Sequence, residues 1–147
     1  MTPKTSPFLS AEFSAIAHAT ENIENVEQSV RFLVGFASGS NVKLTRQYLR
    51  GHHGNMITTV SARLPGAELN LDALARLLRS LPIQDRQFLS RQISGCIDEG
   101  RNLYLRFDKQ EAFTGNVRLQ DGDPIRVRFK FGRAYDEKAI ASLCGES

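Results

Sequence analysis

The sequence predicts an α+β fold: a two-layer sandwich in which a mainly antiparallel five-stranded sheet carries helices packed on one face. Two periodicities and their order predict it. In Pro124-Ile125-Arg126-Val127-Arg128-Phe129-Lys130-Phe131, apolar and cationic residues alternate with the period of two that sends strand side chains to opposite faces. Elsewhere apolar residues recur at three and four positions, as at Ile23, Val26, Val30 and Leu33, which is the spacing of one helix face. The patterns succeed one another as strand, helix, two strands, two helices, two strands, helix, an order suited to one sheet under one layer of helices.

With 147 residues and 41% hydrophobic content, the chain is large enough to bury a core without staples. Residues 1–10, with Pro3 and Pro7, read as a flexible leader, and 11–147 as a single domain. The two cysteines, Cys96 and Cys144, match no metal or redox spacing and read as thiols in a reducing compartment. No basic-then-apolar signal pattern opens the chain, and nowhere do about 18 apolar residues run together, so a cytoplasmic location is expected.

Residues 12–18 alternate weakly, with Phe13, Ala15 and Ala17 against Ser14, Ile16 and His18, and are expected to form the first strand. Thr20 is expected to cap the following helix, with Glu21 and Glu24 in the first turn, where the dipole favours anions, and Gly35 to end it. Residues 42–50 and 56–64 read as strands around the turn Gly51-His52-His53-Gly54-Asn55, because Gly and Asn tolerate positive φ. In the second of these, Met56, Val60, Ala62 and Leu64 share a face. Asn70 would cap a helix carrying Leu71, Leu74, Leu77 and Leu78, and another is expected over about 84–98, with Phe88, Leu89, Ile93, Cys96 and Ile97 on its apolar side. Two strands follow. The first places Leu103, Leu105 and Phe107 inward and Tyr104, Arg106 and Asp108 outward; the second is the basic run after the turn Asp121-Gly122-Asp123-Pro124. A short helix over 134–143 closes the order.

The net charge of +3 is unevenly spread. Residues 36–64 hold four Lys/Arg and no acid, and 101–133 hold eight Lys/Arg against four acids, while the other stretches are slightly acidic. Cations gather in the strands and acids in the helices. That segregation points to a polyanionic partner, although solvated surface charge is the commoner reason for any one cluster.

Four segments, His18-Ala19-Thr20-Glu21, Gly51-His52-His53-Gly54-Asn55, Leu103-Tyr104-Leu105-Arg106-Phe107-Asp108-Lys109-Gln110 and Asp123-Pro124-Ile125-Arg126-Val127, resemble an archaeal RNA-binding family described as predicted exosome-associated subunits. The resemblance covers nearly the whole chain after the leader, in the family's order. It implies the α+β sandwich of the fifth large-subunit ribosomal protein, an RNA partner, and association with exosome or other RNA-processing subunits; the family offers no established catalytic set to carry over, and no cofactor is expected. Where that family's turn commonly carries an aromatic, this chain has His53.

Candidate RNA contacts follow from residue type and position. Arg126, Arg128 and Lys130, with Tyr104 and Arg106 beside them if the strands pair, would make a basic sheet face bearing an aromatic, able to hold phosphates and stack an unpaired base. The competing reading is that these cations keep a sheet soluble and its edge unpaired. Lys109 is a candidate phosphate contact and Gln110 a candidate for a base edge or 2′-hydroxyl, while Asp108 could equally cap a helical turn that they begin. Arg50, His52 and Asn55 would meet a phosphate at the 51–55 turn; a plain hairpin tip is the alternative. His52 and His53 diverge on an extended backbone and would need His18 or a carboxylate as a third ligand, so no metal site is expected. No glycine-rich phosphate loop precedes a helix, and no Ser or Cys nucleophile has a recognisable motif. The sequence predicts a non-enzymatic RNA-binding protein. The alternatives are an adaptor whose basic surface meets an acidic partner subunit, and a metal-dependent hydrolase or nuclease around His18, His52 and His53.

Overall fold

Alternation gives four strands one dry face each, and those faces need a common cover. The computed structural model describes residues 8–37, 42–50, 54–66, 69 and 71–132. The chain runs β1 (Phe8–Ala17), α1 (Ile23–Ala37), β2 (Thr45–Arg50), β3 (Met56–Pro65), α2 (Leu71–Arg79), α3 (Ile83–Gln92), a 3-10 turn (Ile93–Cys96), β4 (Asn102–Phe107), α4 (Lys109–Phe113) and β5 (Ile125–Phe131). The strands form one sheet in the order β2-β3-β1-β5-β4, every neighbouring pair antiparallel. The expected α+β sandwich is present. The helix over 134–143, the Asn70 cap, His52 with the rest of 51–53, and Cys144 lie outside the described residues.

Ala11, Phe13, Ala15 and Ala17 of β1, Val60, Ala62 and Leu64 of β3, Leu103, Leu105 and Phe107 of β4, and Ile125, Val127, Phe129 and Phe131 of β5 are all buried. They share a core with Val26, Val30, Leu33 and Val34 of α1, Leu74, Leu77 and Leu78 of α2, Leu89 of α3 and Ala112 of α4. Each large side chain removed from water contributes about 1.5–3 kcal/mol, so register is tightly held: a slip of one residue would turn Phe13 or Phe129 outward. Aromatic rings join the central strands, with Phe8 5.0 Å from Phe131 and 5.6 Å from Phe129 between centroids.

Several boundaries move, each for a local reason. β1 begins at Phe8, inside the expected leader, because that ring is buried there; a register shift between Phe8 and Ser10 leaves Leu9 in water. Asn22, not Thr20, caps α1, its Oδ1 accepting the Asn25 N–H at 3.2 Å. The helix also continues past Gly35, and Phe36 packs edge-on against Phe32. α3 stops well short of residue 98 because Ile97 leaves to bridge Leu103. Phe88, expected on the apolar stripe, is instead 53% exposed. Met56 is exposed too, lying beyond the buried part of β3. After β3 the chain passes so close to β1 that a Cβ on Gly66 would collide with the Phe8 carbonyl. Among the described residues no helix is long and apolar enough to cross a membrane.

Candidate nucleic-acid interface

Directly opposed residues of an antiparallel pair share a face, so the register sets the outward side chains in rows across the sheet. One row runs Arg63, Glu12, Arg128, Tyr104 and the next Ser61, Ser14, Arg126, Arg106, while Lys130 lies opposite Asn102. These side chains are exposed or half-buried, in contrast to the buried residues between them. A shallow groove of about 410 Å³ follows β5 and β4, lined by Glu12, Ser14, Tyr104, Arg106, Arg126 and Arg128.

The cations of this face are unequally committed. Arg128 Nη2 donates to Glu12 Oε1 at 2.7 Å, and the same oxygen lies 3.8 Å from Arg63 Nη1. Arg106 is 3.9 Å from Asp121, whose side chain is 92% exposed, so water screens that pair heavily. Among the described residues, no carboxylate lies within ion-pair distance of Arg126 or Lys130. Arg126 instead stands directly opposite Arg106, a like-charge placement that costs the sheet stability. The Tyr104 hydroxyl donates to Asp98 Oδ2 at 2.9 Å, which pushes the phenol pKa up and fixes the ring at the groove's rim. Asp98 is held below its ordinary value mainly by the Asn102 backbone N–H, with the tyrosine adding to it.

Lys109 is corrected as an RNA contact. Asp108 caps α4 by accepting the Glu111 N–H at 2.9 Å, and this turns Lys109 back toward the end of β1. Its side chain is only 4% exposed. Nζ donates to the Ile16 carbonyl at 2.8 Å, Glu21 Oε1 at 2.9 Å and Asp123 Oδ2 at 2.8 Å, which uses all three of its donors. The ammonium ties β1, the turn before α1, and the β4–β5 connection together. Burial pushes the Asp123 carboxyl up, but the hydrogen bonds from Lys109 and His18 outweigh it and hold its pKa below the ordinary value. His18 Nε2 lies 3.0 Å from Asp123 Oδ1, and His18, Glu21 and Asp123 bring ligand-type atoms within 4.8 Å of one another. An ammonium already supplies their countercharge, so a divalent cation would enter against its repulsion.

Of the hairpin candidates, Arg50 is not brought to the open face. Because Arg46, Tyr48 and Arg50 oppose Val60, Thr58 and Met56, they project on the helix side of the sheet. There Arg46 makes two hydrogen bonds to Glu27, at 2.9 and 2.7 Å, which hold the Glu27 carboxyl below its ordinary value. Arg50 is exposed at the end of β2, and Asn55 is exposed beside Gly54, whose φ is +77°. Gln110 is exposed on α4, beside a small cleft lined also by Asn22 and Asn25.

Two residues of the face escaped the sequence reading. Arg63 and Glu12 were placed on the outward side by the same alternation that buries Leu64 and Phe13. What alternation could not reveal is that β1 lies between β3 and β5, which brings Glu12 to Arg128 and Arg63.

Comparison with known proteins agrees with this architecture. The chain is 33% identical over 115 residues to "RNA-binding protein PAB1135" of Pyrococcus abyssi, covering 77% of this chain and 75% of that protein. It is 28% identical over 126 residues to an uncharacterized protein, MJ0213, of Methanocaldococcus jannaschii, covering 83% of each. Among solved structures, protein AF2318 of Archaeglobus fulgidus, a DUF54 protein, matches with a TM-score of 0.72 at 25% identity over 92% of this chain and 96% of that one. SSO0741 of Sulfolobus solfataricus shares the fold with a TM-score of 0.72 at 24% identity, over 92% of this chain and 96% of that one. The family model described as RNA binding matches residues 10–131, which takes in β2 to β5 and all but the first two residues of β1, and the chain belongs to that RNA-binding family.

Proposed function

We propose that this protein binds RNA without catalysing a reaction on it, laying the phosphate backbone across the outward side of β5 and β4, and that it serves RNA processing or degradation as an accessory factor. The observation that carries the reading is Arg126 set opposite Arg106 with no carboxylate at ion-pair distance from Arg126 among the described residues. Folding gains nothing from facing guanidinium groups; an anion between them converts their repulsion into attraction. The non-catalytic part is supported by Lys109, whose salt bridges engage the carboxylates of the His18, Glu21 and Asp123 group. The accessory role, with the exosome or another processing machine as partner, is supported by the resemblance of the four segments to the family described as predicted exosome-associated subunits.

Charge supplies most of the affinity, so binding weakens steeply as salt rises. The test is the triple variant Arg126→Ala, Arg128→Ala, Lys130→Ala, titrated with fluorescent RNA at a salt concentration of about 0.15 M. A loss of about tenfold or more with unchanged melting supports the face as the site. Parent-like binding by a folded triple variant overturns it.

A further inference from the structure

We propose that the cleft at the outer edge of β4 receives one unpaired nucleobase, so that the protein prefers single-stranded to duplex RNA; this rests on the RNA-binding reading of the adjoining face. The cleft has a volume of about 370 Å³ and is walled by Phe88 and Leu89, Cys96, Leu119, and the Tyr104 and Arg106 positions of β4, with the exposed Asp121, 3.9 Å from Arg106, at its edge. That volume falls within the range of about 300–1,000 Å³ usual for small-molecule pockets.

Its chemistry is divided as a nucleotide is divided. On the cleft side, α3 presents the Phe88 ring, more than half in water, beside the fully buried Leu89 and the half-buried Leu119. Burial also pushes the Cys96 thiol up, as befits an apolar wall. On the other side, Tyr104 and Arg106 line both this cleft and the groove that holds Arg126 and Arg128. Arg128 opposes Tyr104 and Arg126 opposes Arg106, so the phosphate-binding cations stand one strand spacing, about 4.8 Å, from the cleft's rim. A strand of RNA lying along β5 therefore reaches an apolar, aromatic-walled recess without leaving the cationic groove. Only an unpaired base can turn out of the stack to fill it, because an A-form duplex keeps its bases paired and offers the protein backbone and 2′-hydroxyls instead.

The experiment measures binding of a fluorescent single-stranded RNA and of a duplex of equal length by Phe88→Ala, Phe88→Leu and Phe88→Trp variants. Phe88 is exposed, so these changes leave the core intact, and melting curves check this. The expected result is a loss of about fivefold or more for single strands with Ala and Leu, retention with Trp, and no change in duplex affinity or in the salt dependence of either. Equal losses on both RNAs, or parent-like single-strand binding by Phe88→Ala, overturn the base site. If Phe88→Ala binds like the parent while the Arg126, Arg128, Lys130 triple variant is weakened, the cleft fails and the face stands. If neither variant changes binding, the underlying reading of the face fails as well.

Discussion

Lys109 and Arg126 lie at the same end of the β4–β5 pair, where Phe107 faces Ile125, yet their charges do opposite things. Lys109 turns inward and spends every N–H on three acceptors from three parts of the chain. Arg126 turns outward, opposite another arginine, with no acid in reach among the described residues. The difference teaches that the number of cations in a segment says little about binding; what matters is how many retain donors uncommitted. A surrounded charge belongs to the fold, and an unanswered one is available to a ligand.

The largest effect expected from this contrast is on stability. Lys109→Met leaves Glu21 and Asp123 facing each other without their cation and should cost about 2–3 kcal/mol, read as a lower urea midpoint at constant slope. RNA affinity of the folded variant should change less than about twofold. The Arg126, Arg128, Lys130 triple variant should show the reverse, lost affinity with no drop in midpoint comparable to that of Lys109→Met. A loss of affinity in Lys109→Met equal to that of the triple variant would erase the distinction.

A smaller effect concerns Glu12, which sits where a phosphate would sit, between Arg128 and Arg63. Glu12→Gln removes a competing anion and should tighten RNA binding by about threefold at low salt, with the gain shrinking as salt rises. Weaker binding would mean that Glu12 aims Arg128 instead of competing for it.

The smallest is a pH effect. Because the Asp123 pKa is depressed in the folded protein, its contribution to stability is present above the unfolded value of about 3.8 and is lost as pH falls through the lower folded value. Acid unfolding of the parent should therefore be steeper in that range than that of Lys109→Met, which lacks the main hydrogen bond responsible. Parallel acid limbs would show that Asp123 owes its shift to something else.

The sheet's inward and outward faces were legible because β4 and β5 alternate without interruption and no tertiary contact competes with that period. Helix ends were less so: Asn22 and Thr20 are both good caps, and only the path of the chain out of β1 decides between them. The end of α3 was hidden because Ile97 suits a helix face and a strand bridge equally. The role of Lys109 was not legible at all, since two of its acceptors, Ile16 and Glu21, lie 93 and 88 residues away. The outward cations were readable one strand at a time, but their rows, and the presence of Glu12 among them, depend on strand order, which local pattern does not contain.

That order also governs how the chain must assemble. Phe13 meets Ala62 on one side and Val127 on the other, so β1 waits more than a hundred residues for its second neighbour. Such distant pairing slows folding, and until β5 arrives an unpaired backbone edge stands open beside the rings of Phe8 and Phe13. A nascent or clipped chain ending before Ile125 would present edge and aromatics together, the combination through which incomplete sheets aggregate.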